Sequence, residues 1–189
     1  MASALASWQG EVVVSEPALR AVGSESLHVT LCFLGRLPPE VVEVVAQAMD
    51  RLEGRPARNL ALGNALWLPS RQPPARHPAS PNRAARESSG CRPRVLAVQL
   101  LDPLGQVSGL QAELAEALVA AGLFGSEARR FVPHVTVARV HGHARVQPRL
   151  LKRPSSVEFD ARHVTLYRSH LGGGPARYEA LHRTELSRR

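Results

Sequence analysis

Two short histidine–threonine motifs are the part of this sequence that could carry out chemistry. The first is His28-Val29-Thr30 and the second is His134-Val135-Thr136. If each lies on a β-strand, the histidine and the threonine share one face, and the valine between them points the other way into a core. A single motif of this kind is better explained as the wet face of a half-buried strand. Two of them in matched surroundings indicate a groove lined by both pairs.

Two imidazoles suit the hydrolysis of a phosphodiester. An imidazole ordinarily titrates at about pH 6.5, so near neutral pH one can be protonated while another is not. The reaction needs a base that deprotonates water and an acid that protonates the leaving oxygen. We therefore take His28 and His134 as candidate catalytic residues. The hydroxyls of Thr30 and Thr136 are candidate substrate-binding groups that would hold the non-bridging phosphate oxygens.

Two other histidine groups lack the same support. His163-Val164-Thr165 repeats the motif, but it falls on a predicted hairpin and breaks the correspondence between the two halves of the chain. His141-Gly142-His143 places two histidines together without a nearby cysteine or carboxylate, which is a poor ligand set for a metal ion. We predict no catalytic role for His163 and no metal site.

The elements that must position the two motifs repeat in the two halves of the chain. Each half is predicted to contain a strand, an amphipathic helix and a second strand, at 28–34, 40–52 and 60–68, and then at 94–101, 107–123 and 131–140. Two similar lobes would let the two motif strands face each other across one groove. In the first motif strand, Val29, Leu31 and Phe33 should point into the core.

The remaining segments fit a single domain over 1–189 with one insertion. Residues 69–93 are rich in Pro, Arg, Ser and Ala, and they hold too few apolar side chains to offset the entropy of ordering. We predict a disordered or surface insertion there. Strands at 162–169 and 176–186 should form a β-hairpin closed by Gly172-Gly173-Gly174-Pro175. That glycine run follows a strand, so it predicts a hairpin tip rather than a phosphate-binding loop.

Composition points to a globular protein with a basic surface. Hydrophobic residues make up 44% and charged residues 21% of the chain, and the net charge is +8. A basic balance favours a polyanionic partner such as nucleic acid, although scattered arginine also fits a default surface cation. No apolar run reaches the roughly 18 residues of a membrane span, and residues 1–10 lack the pattern of a secretory signal. We expect a cytoplasmic protein in which Cys32 and Cys91 are thiols rather than a disulfide.

Longer stretches around the motifs resemble a known family. They are Ser-Leu-His-Val-Thr-Leu-Cys-Phe-Leu-Gly at 26–35, Phe-Val-Pro-His-Val-Thr-Val-Ala-Arg-Val at 131–140, and Val-Thr-Leu-Tyr-Arg-Ser at 164–169. In these the chain resembles the 2H phosphoesterase superfamily, and most closely its RNA 2′,3′-cyclic phosphodiesterase branch, also called the 2′-5′ RNA ligase-like family. Two departures stand out. We find no counterpart of the family's first strand, since the chain starts partway along the following helix near 5–8, and the family mostly lacks the 69–93 insertion.

The resemblance implies a fold and a reaction. The fold is α+β and bilobal, with two antiparallel sheets flanking a central groove and helices on the outside. The reaction is hydrolysis of the 2′,3′-cyclic phosphate at an RNA end to a 2′-phosphate, without metal or cofactor, with His28 as the acid and His134 as the base. A monomer acting on RNA or an oligonucleotide, away from any membrane, is expected. Two alternatives stay open: the reverse reaction, which forms a 2′-5′ bond, and a non-catalytic RNA-binding module.

The resemblance also places an arginine near the phosphate, which in this chain is Arg139. Strand parity argues against it, because Arg139 comes five residues after His134 and would point away in an undistorted strand. Only a β-bulge or the end of the strand would bring it back to the face of His134.

Overall fold

Seven β-strands form two antiparallel sheets in the part of the chain that the structure describes. This structure is a computed structural model, and it describes residues 1–69, 92–125, 130–142, 144–170 and 176–187. The larger sheet has the order β1-β4-β3-β2-β5, and β6 and β7 pair in a second sheet. Their bounds are β1 Leu19–Ala21, β2 Leu60–Leu68, β3 Val95–Leu101, β4 His134–Val140, β5 Glu158–Phe159, β6 His163–His170 and β7 Arg177–Glu185. The predicted α+β class with two antiparallel sheets is confirmed.

Three α-helices within the same ranges cover the larger sheet and its neighbour. They are α1 Ala2–Ser15, α2 Val42–Asp50, which follows a 3₁₀ turn at Pro39–Val41, and α3 Gln106–Ala120. The helices predicted at 40–52 and 107–123 are therefore present, as are the strands predicted at 60–68, 94–101 and 131–140. Both strands of the hairpin predicted at 162–169 and 176–186 are present too. No helix in the described ranges is long and apolar enough to cross a membrane.

Two clusters of buried side chains hold these elements together. Helix α1 presents Leu5, Trp8 and Val12 at helical spacing to the larger sheet, where they pack with residues such as Val98 and Val135. Helices α2 and α3 pack in a second cluster with Leu60 and Leu100 of the same sheet. Fully burying a side chain of this size stabilises the fold by roughly 1.5–3 kcal/mol. Helices thus pack against β2, β3 and β4, and they hold in place the strand that carries His134 and Thr136.

A polar cluster joins the end of α2 to the small sheet. The carboxylate of Asp50 accepts hydrogen bonds from Nε2 of His182, at 2.7 Å, and from the hydroxyl of Thr184, at 3.0 Å. The hydrogen bond from His182 is the main cause that lowers the pKa of Asp50 below its ordinary value, against an opposing contribution from burial. His182 is thus a structural histidine that fixes β7 to α2.

The prediction of a strand at 28–34 was wrong. Strand β1 runs along one edge of β4, pairing Leu19–Ala21 with 138–140, and the chain then leaves the sheet through a 3₁₀ turn at Ser24–Ser26. It returns to the same edge at a single bridge, Val29 with Val135. Beyond Thr30 the chain runs past His134, where β4 begins, so the following residues have no strand to pair with. Phe33 was predicted in the core, but its side chain is 76% exposed.

Several predictions fall on residues outside the described ranges. They are the bulk of the 69–93 insertion, the Gly172-Gly173-Gly174-Pro175 turn, Cys91 and His143. The insertion and the single-domain boundaries therefore stay predictions.

Candidate functional site

The bridge between Val29 and Val135 sets the two histidine–threonine motifs side by side. In an antiparallel pair the residues that flank a bridge lie opposite each other, so His28 faces Thr136 and Thr30 faces His134. The valines pack into the core, Val135 with none of its surface exposed, which puts the four polar side chains on the other face. Directly opposed Cβ atoms are about 4.5–5.5 Å apart and diagonal pairs about 7–8 Å. The two imidazoles form such a diagonal pair.

Each imidazole is oriented by the same type of contact. Nδ1 of His28 donates to the carbonyl oxygen of Ser26, and Nδ1 of His134 donates to that of Val132, both at 2.7 Å. A carbonyl oxygen can only accept, so the Nδ1 atom carries the proton in both rings. Nε2 is then the atom that can accept a proton when the ring is neutral, or donate one when it is charged.

Two tyrosines of the small sheet lie beside His28. The ring of Tyr178 meets the ring of His28 nearly edge-on, at 5.1 Å between centroids and 74° between planes. Tyr167 lies 6.4 Å from His28 and 5.8 Å from Tyr178. These tyrosines could not be identified from sequence patterns, because the docking of the hairpin depends on the contacts of α2 with β6 and β7. The family-like stretch at 164–169 was the only sequence signal that included one of them.

A β-bulge in β4 decides where Arg139 points. Thr136 pairs with Ala97, but the next pair along the ladder is Ala138 with Leu96, so Val137 is an extra residue in β4. The bulge reverses the alternation of faces beyond Val137. Arg139 then pairs with Val95, two residues from Ala97 on β3, and lies on the face that carries Thr136 and His134. The distortion that the sequence argument required is present in the strand.

The remaining histidines are arranged differently. His163 begins β6, exposed and opposite Glu185, and four residues from Tyr167. Four residues of strand span about 13 Å, which sets His163 well along β6 from the tyrosine that borders His28. Among the described residues, no group of three or more His, Cys, Asp or Glu side chains is placed to hold a metal ion.

The chain is similar in sequence to proteins of one family. The profile of the 2′-5′ RNA ligase superfamily matches residues 5–173. The RNA 2′,3′-cyclic phosphodiesterase of Geobacillus stearothermophilus is 27% identical over 182 residues, which are 94% of this chain and 51% of that protein. The chain thus spans about half the length of this curated relative.

Solved structures share the fold over the whole chain. The protein TT0787 of Thermus thermophilus aligns with a TM-score of 0.70 and 25% identity, covering 100% of this chain and 93% of that one. LigT of Escherichia coli, crystallised with 3′-AMP, aligns with a TM-score of 0.72 and 23% identity, covering 100% and 94%. With the superfamily profile spanning nearly all of the sequence and the same fold in these neighbours, the chain belongs to the 2′-5′ RNA ligase superfamily, the family of 2H phosphoesterases.

Proposed function

We propose that the chain hydrolyses 2′,3′-cyclic phosphate ends of RNA to 2′-phosphates, with His28 and His134 as an acid–base pair. The observation that carries the proposal is the matched orientation of the two imidazoles, each with Nδ1 held by a carbonyl and Nε2 left for proton transfer. The name of the Geobacillus relative, an RNA 2′,3′-cyclic phosphodiesterase, supports the same substrate. We place this activity in the cytoplasm and in a monomer.

The proposed reaction divides the proton transfers between the two rings. Neutral His134 takes a proton from water at Nε2, and the water oxygen forms a bond to phosphorus. The bond from phosphorus to O3′ breaks, and protonated His28 gives its Nε2 proton to O3′. The products are a 2′-phosphate and a 3′-hydroxyl. This assignment of acid and base follows the resemblance to the family.

Three further side chains suit the charge that develops on the phosphate. The hydroxyls of Thr30 and Thr136 flank the imidazoles on the same face and can donate to the non-bridging oxygens. Arg139, returned to this face by the bulge, offers a planar guanidinium that can hold two phosphate oxygens at once. Together they would stabilise the transition state more than the ground state, since they face the position where charge accumulates.

Phe33 offers a surface for a nucleobase. It follows His28 by five residues, and its ring is 76% exposed, so it is accessible to a base. Stacking of a base on an aromatic ring contributes roughly 1–3 kcal/mol and tolerates any base. A substrate whose phosphate lies between the histidines would then be held at its terminal base as well.

The test is a turnover assay with an RNA oligonucleotide that ends in a 2′,3′-cyclic phosphate. We expect a 2′-phosphate product, identified by ³¹P NMR, at an unchanged rate in the presence of EDTA, and almost no turnover by His28→Ala. Adding an RNA with a 5′-hydroxyl tests the second candidate, formation of a 2′-5′ bond by the same residues. Binding of the oligonucleotide without turnover would instead identify an RNA-binding module and contradict the proposal.

A further inference from the structure

Arg20 and Arg139 lie directly opposite each other on neighbouring strands. Arg20 is the central residue of β1, at the edge of the larger sheet, and its partner across the ladder is Arg139 of β4. Both side chains are exposed. Neither forms an ion pair with any carboxylate in the described part of the chain. Like charges in this position repel each other and destabilise a sheet, so the pair calls for an anion that neutralises it.

The position of Arg20 relates this pair to the proposed phosphate site. Cross-strand partners point to the same face, so Arg20 shares the face of Arg139, and through the bulge that of His134 and Thr136. Arg139 adjoins both Arg20, across the ladder, and the histidine–threonine motif, along β4. The two arginines therefore form a basic cluster beside the proposed phosphate site. Val29 returns to the same edge of β4 as β1, so His28 and Thr30 lie along the same edge as Arg20.

We infer that Arg20 binds the phosphodiester that precedes the terminal cyclic phosphate, and so makes the enzyme prefer oligonucleotide ends to mononucleotides. The inference rests on the proposed function and adds a specificity residue to it. A guanidinium matches the geometry of two phosphate oxygens, and a second bound phosphate removes the repulsion between the two arginines. A mononucleotide has no second phosphate, so it occupies only the Arg139 side of the pair.

The test compares two substrates, a nucleoside 2′,3′-cyclic phosphate and a dinucleotide that ends in the same cyclic phosphate. Arg20→Ala should lower kcat/KM for the dinucleotide about tenfold, mainly through KM, as expected for one lost phosphate contact. The value for the mononucleotide should stay the same. The dependence of dinucleotide binding on salt should also become shallower, since one counterion fewer is released. Arg51→Ala removes one exposed positive charge at the end of α2 and should leave the ratio between the substrates unchanged.

Two results would overturn the inference. The first is an equal loss of kcat/KM on both substrates, which would mean that Arg20 acts on the terminal phosphate or on the fold. The second is an unchanged kcat/KM on both substrates. Arg20→Gln, which keeps a long polar side chain in β1, guards against local unfolding, and both variants should melt no lower than the wild type because a repulsion is removed. If the wild type hydrolyses neither substrate, the proposed function fails, and the affinities for a 2′-phosphorylated mononucleotide and dinucleotide test Arg20 separately.

Discussion

His28 and His134 hold their rings by identical contacts, Nδ1 to the carbonyl oxygen two residues earlier, at 2.7 Å in each. The two residues reach this geometry from different surroundings, His28 after a 3₁₀ turn and His134 at the first position of β4. The contact leaves Nε2 of each ring for proton transfer without fixing whether that nitrogen carries a proton. In the proposed mechanism, two such rings, diagonal across one bridge, would exchange the roles of acid and base between the forward and reverse reactions.

Removing either imidazole should nearly abolish turnover. We expect His28→Ala and His134→Ala each to lower kcat by roughly 10²–10⁴-fold, and the wild-type kcat to show a bell-shaped dependence on pH, because one ring must be charged and the other neutral. The double variant should be little worse than either single one, since the two rings act as a unit. Single-turnover rates of the two single variants and of the double variant test these expectations. His163→Ala is the matched control, and a loss as large as that of His28→Ala would refute the assignment.

The threonine hydroxyls should contribute less than the imidazoles. Thr30→Val and Thr136→Val keep the shape of the side chain and remove the donor, so each should lower kcat by about 10²-fold, as for one lost oxyanion donor. KM should change little if the hydroxyls act mainly on the transition state. Steady-state kinetics separate the two constants. Loss of affinity with an unchanged kcat would show that the hydroxyls bind the ground state instead.

Arg139 should act through its guanidinium on the face that the bulge gives it. The extra residue Val137 lets Arg139, three positions after Thr136, share the face of Thr136. We expect Arg139→Ala to lower kcat on the order of 10²-fold, as for a lost transition-state donor. Deleting Val137 removes the bulge but leaves Arg139 two positions after Thr136, on the same face, so Arg139→Ala should cost about as much in the deletion variant as in the wild type. Because Val137 is buried, circular dichroism must first show that the deletion variant folds. An Arg139→Ala variant as active as the wild type would show that Arg139 does not act on the phosphate.

The ring of Tyr178, rather than its hydroxyl, should support His28. Tyr178→Phe keeps the edge-on contact at 5.1 Å and should be close to wild type, whereas Tyr178→Ala removes it and should lower kcat about tenfold by loosening the imidazole. Comparing kcat for the two variants on a cyclic mononucleotide is sufficient. A Phe variant as impaired as the Ala variant would point to a direct role for the hydroxyl.

Asp50 should stabilise the fold in a pH-dependent way without affecting the chemistry. Its pKa is lowered in the folded state, so the ionised carboxylate stabilises the fold above the ordinary value of 3.8, and this contribution is lost as the pH falls below that value. Asp50→Ala should therefore melt below the wild type at neutral pH, with a difference that narrows as the pH falls below about 4. Glu53→Ala, a nearby exposed carboxylate, is the control. A difference that widens in acid would contradict the sign of the shift.

Sequence patterns located the regular elements well but not the irregular ones. The strand at 60–68 and helix α3 follow from local periodicity, and the two motifs follow from residue type. The exposure of Phe33 could not be predicted, because it depends on β4 beginning at His134, which leaves the residues after Thr30 with no strand to pair with. The position of Tyr167 and Tyr178 beside His28 depends on how the hairpin packs against α2. That packing also involves residues far apart in the sequence. For Arg139, the alternation of faces along a strand showed that a β-bulge or the end of the strand was needed to bring it to the face of His134. Only the pairing of β4 with β3 shows that a bulge is present, and that Val137 is the extra residue.

The break in pairing between β1 and Val29 has a consequence for proton chemistry. A carbonyl inside a continuous ladder already accepts a hydrogen bond from the neighbouring strand, so a side chain has to share it. Ser26 lies in the turn that leaves the sheet, and Val132 lies just before β4 begins, so both oxygens are outside the ladder and available to an imidazole. The tautomer of each histidine is thus set by a carbonyl oxygen that lies just outside the sheet. Extending either strand by two residues would make the sheet more regular and weaken the contact that selects the tautomer of its histidine.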